Sequence, residues 1–226
     1  MGRMNRSRRG GAVFLLGALF SVGGVRLLRA EDSGYWQFFT LRYLAAPRLE
    51  LDAYPELIYD HEGTQMSYLL LHSAALAHLH PHVDVGFDYA YVRARNAQNL
   101  FVTQHWMAPQ LFLKGRLGPV PVVWRNQMEI REGSGVSDRE RSKVTVNSPR
   151  SFTPLGIKLF ASYEVFYDFH RMAENQTRAT AGISLPVDKR VEMSLFYLRQ
   201  GLLGEAAWKF VNYIGSDLRF AFGPGR

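Results

Sequence analysis

The chain of 226 residues contains no cysteine. Disulfides, thiolate metal sites and cysteine nucleophiles are thereby excluded, and a thiol-free chain suits a protein that crosses an oxidising compartment unfolded. Acidic residues are missing from the first thirty positions, which hold six arginines (Arg3, Arg6, Arg8, Arg9, Arg26 and Arg29). The whole chain has 27 Lys+Arg against 20 Asp+Glu, so removing those six leaves 21 against 20. The formal charge of +7 therefore belongs almost entirely to this leader and does not indicate a nucleic-acid partner. Long apolar runs are also lacking. No segment approaches the ~20 consecutive apolar residues of a transmembrane helix, and the stretch Ala12 to Phe20 has the length of a signal-peptide core behind its positive start. Residues 1–30 read as a signal peptide cut after Ala30, with Gly24 as the alternative, leaving residues 31–226 as one domain. An uncleaved anchor is the competing reading of the same segment.

The mature chain has a period of two. From Ile157 to Phe169 the odd positions are Ile157, Leu159, Ala161, Tyr163, Val165, Tyr167 and Phe169, whereas the even ones include Lys158, Glu164 and Asp168. The same split recurs over 49–59, 82–91, 178–185 and 190–197, the spacing of strands with two unlike faces. Less regular strands are expected over 35–45, 67–78, 104–115, 121–131, 141–147 and 209–222. Segment 67–78 is also compatible with a short helix. Short turns carrying Pro or Gly, near 80–81, 117–119, 152–154 and 186–188, alternate with longer polar loops near 60–66, 94–100, 132–139, 170–176 and 200–206. This is the rhythm of an up-and-down outer-membrane barrel with tight periplasmic turns. The expected fold is all-β, an antiparallel transmembrane β-barrel of about 10–12 strands. Antiparallel closure favours an even number, which leaves 35–45 without an assigned place.

A soluble sandwich shares this period, so the direction of the faces rests on composition. Aromatic residues gather near strand ends (Tyr89, Tyr91, Tyr167, Phe169, Tyr197, Phe220, Phe222), as an interfacial girdle requires. The polar faces mix acids, bases and small residues, as a narrow lumen does. Asn126, Asn212 and Ser216 fall on the lipid side, where they imply an interfacial position or a shift of register.

Strand 121–131 places Arg125, Gln127, Glu129 and Arg131 on one face, followed by Arg141 and Lys143, then Glu164, then Asn175 and Arg178 ahead of Gly182. This succession resembles the bacterial "domain of unknown function 2490" family, with its Arg-x-Arg-x-Glu-x-Arg, Arg-x-Arg, Glu-Phe and Asn-Arg-x-x-x-Gly strands. Gln127 and Lys143 stand where the family pattern has Arg. The resemblance covers roughly residues 35–222 and implies an exported barrel without assigned catalytic residues. Read from the residues themselves, Arg125, Gln127, Glu129, Arg131, Arg141, Lys143, Glu164 and Arg178 form a polar lumen cluster able to pair across strands. Its two uses are a plug that blocks leakage and the lining of a path for a small anionic solute.

Catalytic patterns are sparse. His78, His80 and His82 flank Pro81 in a turn and do not call for a metal. His72 and Ser73 are adjacent, so on a strand they face opposite ways and cannot form a dyad. No phosphate loop, nucleophile elbow or paired-His helix occurs. The expectation is a non-enzymatic outer-membrane barrel of a Gram-negative bacterium, structural or permeating small solutes, without cofactor. Its partners would be outer-membrane lipids and, during biogenesis, periplasmic chaperones and the barrel-assembly machinery. A soluble periplasmic barrel enclosing an apolar ligand and an outer-membrane lipid-modifying enzyme are the alternatives.

Overall fold

A computed structural model describes residues 33–60, 62–96, 98–133, 137–204 and 207–224. The leader over 1–30 lies outside the described residues. The described chain forms eleven strands: β1 (Ser33–Ala46), β2 (Leu49–Asp60), β3 (Gln65–His80), β4 (Val83–Arg95), β5 (Phe101–Leu117), β6 (Val120–Gly133), β7 (Arg139–Asn147), β8 (Lys158–Asp168), β9 (Ala173–Pro186), β10 (Val191–Leu203) and β11 (Trp208–Phe222). They close into a single barrel in which every consecutive pair is antiparallel and β1 meets β11 in parallel. Segment 67–78 is part of strand β3, so its helical reading is excluded.

The parallel seam answers the question of parity. Antiparallel pairing from β2 to β11 uses ten strands, and β1 runs beside β11 from Ser33↔Asn212 to Tyr43↔Phe222. The segment that parity left unplaced is the one that closes the barrel. Closure there removes the free edges that an open sheet would expose.

One end of the barrel carries the connections after β2, β4, β6, β8 and β10, here the loop end; the other carries the turns after β1, β3, β5, β7 and β9, here the turn end. Three of the turns are tight: Pro47-Arg48, Pro81-His82 and Gly118-Pro119. Gly118 has φ +59°, a conformation that a side chain would strain. The alternation of lengths nevertheless breaks at 148–157, a long connection at the turn end between β7 and β8. Phe152 N–H to Ile157 O and Gly156 N–H to Thr153 O hold it as a folded loop, which the Pro154 signal alone does not distinguish from a tight turn.

Side chains alternate as the period requires. Leu41, Leu51, Leu71, Phe87, Leu113, Ile130, Val144, Tyr163, Ile183, Tyr197 and Ile214 are exposed on the outer face. Among the exposed aromatics, Phe169, Trp208 and Phe210 lie nearer the loops and Tyr43 and Phe222 nearer the turns, whereas Tyr89 and Tyr197 stand at the middle of β4 and β10. The three polar exceptions need no register shift. Asn126 donates to Glu140, Tyr197 donates to Asn212, and Ser216 bonds Tyr35 and Gln37, so each finds a partner on its own face.

The interior is not uniformly polar. Trp36, Ile58, Leu70, Ala90, Val92, Ala94, Trp106, Leu198 and Tyr213 form a buried apolar cluster inside the barrel. Room for its bulkiest members comes from glycine. Across neighbouring strands the register runs Phe160, Gly182, Phe196, Gly215, Trp36, alternating ring and glycine. A Cβ on Gly215 would stand 2.1 Å from the Phe196 ring and 2.8 Å from the Trp36 carbonyl, so this row accepts no side chain there.

Candidate functional site

The lumen cluster is built from β6–β9. Register sets Arg125 beside Lys143 and Lys143 beside Glu164, with Glu164 beside Arg178. Glu164 accepts from Arg125 (2.8 Å) and Arg141 (3.0 Å), and Arg178 lies 3.7 Å from its second oxygen. Glu129, only 1% exposed, is bonded by Arg139 and by Arg141 (2.6 Å). Arg141 thus bridges the two carboxylates. Both acids are buried, and in a medium of low dielectric each needs this set of donors to remain charged.

Phe166 lies fully buried beneath three of these guanidiniums, with Arg139, Arg141 and Arg178 at 4.6, 4.9 and 4.8 Å from its ring centroid. The negative faces of the ring offset part of the repulsion among the cations. Arg178 also reaches the Trp36 ring, at 4.6 Å. Trp36 Nε1 donates to Glu56 (2.8 Å), and Glu56 lies 3.5 Å from His72 Nε2. His72 Nδ1 is 3.0 Å from Asp88, to which Tyr54 also donates (2.7 Å) while stacking on the imidazole at 4.2 Å.

Together these contacts form a transverse septum: from Asp88 through His72, Glu56 and Trp36 to Arg178, then through Glu164 and Arg141 to Glu129. It joins the acids of β2 and β4, with His72 of β3 between them, to the basic side chains of β6–β9. On its loop side is a chamber of about 800 Å³ and on its turn side one of about 550 Å³; Glu56, His72, Arg141 and Arg178 line both. The lumen is therefore two vestibules with a charged wall between them.

Of the residues singled out from sequence, Arg125, Glu129, Arg141, Glu164 and Arg178 share this network directly. Lys143 lines the turn-end vestibule beside it. Gln127 is buried at its register partner Arg141, with its Oε1 unpartnered among the described residues. Arg131 departs from the group: its guanidinium bonds the Ser137 carbonyl, and its amide donates to Asp138. Arg139, Trp36, Glu56, His72 and Asp88 belong to the septum and are not among the lumen-cluster residues expected from the sequence. Arg139 follows a Gly-rich loop and precedes the expected start of its strand at 141. The remainder approach the arginines only across the barrel, a relation that strand spacing does not carry.

Groups of three or more metal-ligating side chains are absent among the described residues. His78 instead lies 3.1 Å from Asp84, which Lys114 also contacts (2.7 Å), and His82 Nδ1 faces the Lys114 carbonyl. The geometry defines a closed all-β barrel with a charge-paired partition in its lumen.

Residues 33–210 match the family described as a protein of unknown function, DUF2490. The chain belongs to that family. No curated protein and no solved structure matches it significantly.

Proposed function

We propose that the protein is an outer-membrane β-barrel whose lumen is closed at rest by the septum, serving as a membrane-embedded scaffold with two solute chambers and no free-diffusion pore. The observation that carries this reading is the opposite chemistry of the two faces: large apolar side chains outside and ion-paired arginines and carboxylates inside. Exposure of so many Leu, Ile, Phe and Tyr side chains would be costly in water and is ordinary in lipid. Strand lengths support the same placement. The shortest, β7, has nine residues and the longest, β5, has seventeen, against about 9–11 for a tilted strand to cross a bilayer. In this reading the leader directs export, and periplasmic chaperones and the barrel-assembly machinery deliver the chain to the outer membrane of a Gram-negative bacterium.

The alternative of a soluble barrel around an apolar ligand draws support from the apolar cluster inside, but that cluster is filled by its own Trp, Leu and Tyr side chains. Two measurements follow. The folded protein should fractionate with the outer membrane and migrate faster on a detergent gel before boiling than after it; recovery as a freely soluble periplasmic protein would reject the proposal. In planar bilayers the intact barrel should give no stepwise conductance, because an ion crossing the septum would have to separate Glu164 from Arg141 and Arg178. Steady nanosiemens-scale steps would show an open pore instead.

A further inference from the structure

We infer that the turn-end vestibule holds a binding site for a tetrahedral oxyanion, phosphate or sulfate, centred on Lys143 and the hydroxyl row beside it. The inference goes beyond the closed scaffold proposed above and does not depend on where the barrel resides.

Charge within the β6–β9 cluster is unequal. Arg125, Arg139, Arg141, Lys143 and Arg178 are five cations on two carboxylates, Glu129 and Glu164. The arginines take those acids among themselves. Lys143 makes no hydrogen bond and no ion pair with any described residue, although it lies between Arg125 and Glu164 in register and lines the chamber. The Nε of Arg125 is likewise buried without a partner. An ammonium that lines a chamber with no hydrogen-bond acceptor of its own, next to a buried guanidinium N–H that also lacks one, is unfinished as a structural plug.

One step toward the turn end, the register aligns Thr145, Ser162 and Thr180 on β7, β8 and β9, one residue beyond each member of the Lys143, Glu164, Arg178 row on the same face. All three hydroxyls line the same chamber, and none makes a side-chain hydrogen bond with a described residue. An ammonium and three hydroxyl donors converge on one wall. That donor set suits an anion with several oxygens pointing in different directions, as phosphate and sulfate have.

The carboxylates across the chamber do not meet this demand, because they are held elsewhere. Asp52 and Glu50 are on Arg42, Glu192 and Asp217 are on Arg219, and Asp217 also accepts from Thr40. They also limit how far into the chamber an anion is welcome. The favourable position lies against β7–β9, and the chamber of about 550 Å³ leaves room for a small esterified group beyond the anion itself.

The test uses the purified, folded protein in neutral detergent. Inorganic phosphate, sulfate, glycerol phosphate and acetate are titrated at constant ionic strength made up with sodium chloride, and heat of binding and Tm are followed. Saturable binding of phosphate or sulfate is expected, with acetate at least tenfold weaker. Lys143→Met should weaken it about tenfold or more, and Thr145→Val or Thr180→Val several-fold. Lys114→Met, which removes a cation at the turn-end rim, should leave it unchanged. Saturation by phosphate assigns a free anion, and saturation by glycerol phosphate alone assigns an esterified one. The inference is overturned if none of the oxyanions exceeds chloride in effect, or if Lys143→Met and both threonine variants bind as the parent does.

Discussion

Glu164→Gln should lower the stability of the folded barrel by about 3–5 kcal/mol, the cost of stripping a buried ion pair of one partner. The change is isosteric and leaves the backbone untouched, so its effect is electrostatic. It removes the carboxylate that Arg125 and Arg141 bond and that Arg178 approaches, while Lys143 stands next to it in register. Four cations are then left around a neutral amide in a lumen with limited water. The origin of the loss can be checked within the same experiment. Removing a neighbouring charge as well, with Lys143→Met in the Glu164→Gln background, should restore part of the stability, because the two sites share one network and their effects are not additive. Urea unfolding in detergent or vesicles, followed by tryptophan fluorescence, reads both quantities. If Glu164→Gln unfolds at the same urea concentration as the parent, the septum is not held by this acid.

A second large effect is expected on the opposite face. Leu71 and Leu70 are neighbours near the middle of β3, yet Leu71 is 45% exposed and Leu70 only 4%. Leu71→Arg should therefore cost about 2–4 kcal/mol in lipid vesicles, as an arginine on the lipid face near the bilayer centre does. On a surface bathed in water the same substitution would fall within about 0.5 kcal/mol of neutral. Unfolding of the variant from vesicles decides between these values, and a near-neutral result would count against a lipid-facing outer surface.

Much of the fold is readable in the sequence because a strand announces its two faces separately. Segment 157–169 separates Tyr163 from Glu164 so cleanly that the chain itself assigns one to each side of the sheet. Closure is less readable. Parity presumes that the last strand pairs antiparallel with the first, and the Trp36-bearing strand instead runs parallel to β11, a relation that depends on the ends of the chain and not on any local pattern. The apolar interior is hidden for a related reason. Leu69, Leu70 and Leu71 are all apolar, so alternation cannot report that Leu70 packs inside with Ile58, Val92 and Leu198. The site follows the same division. Arg125, Glu129, Arg141, Glu164 and Arg178 lie on adjacent strands, and register brings them together. Glu56, His72 and Asp88 are linked to the basic strands across the lumen, by way of Trp36 and Arg178. The polar faces of 49–59 and 82–91 say that Glu56 and Asp88 point inward but not what they meet, and His72 sits in 67–78, whose apolar run carries no clean alternation.

The central claim is that the polar face of β6 looks into a closed lumen while its other face meets lipid. A single-cysteine scan of residues 121–131 in vesicles tests it most directly, since no native thiol competes. Each position is labelled with a water-soluble thiol reagent and, separately, with a fluorophore read against a lipid-borne quencher. The account predicts a two-residue alternation, in which labels at 124, 126, 128 and 130 are quenched from the lipid and labels at 125, 127 and 129 are not. Free reaction of positions 124, 126, 128 and 130 with the water-soluble reagent, together with no quenching from the lipid, would contradict it.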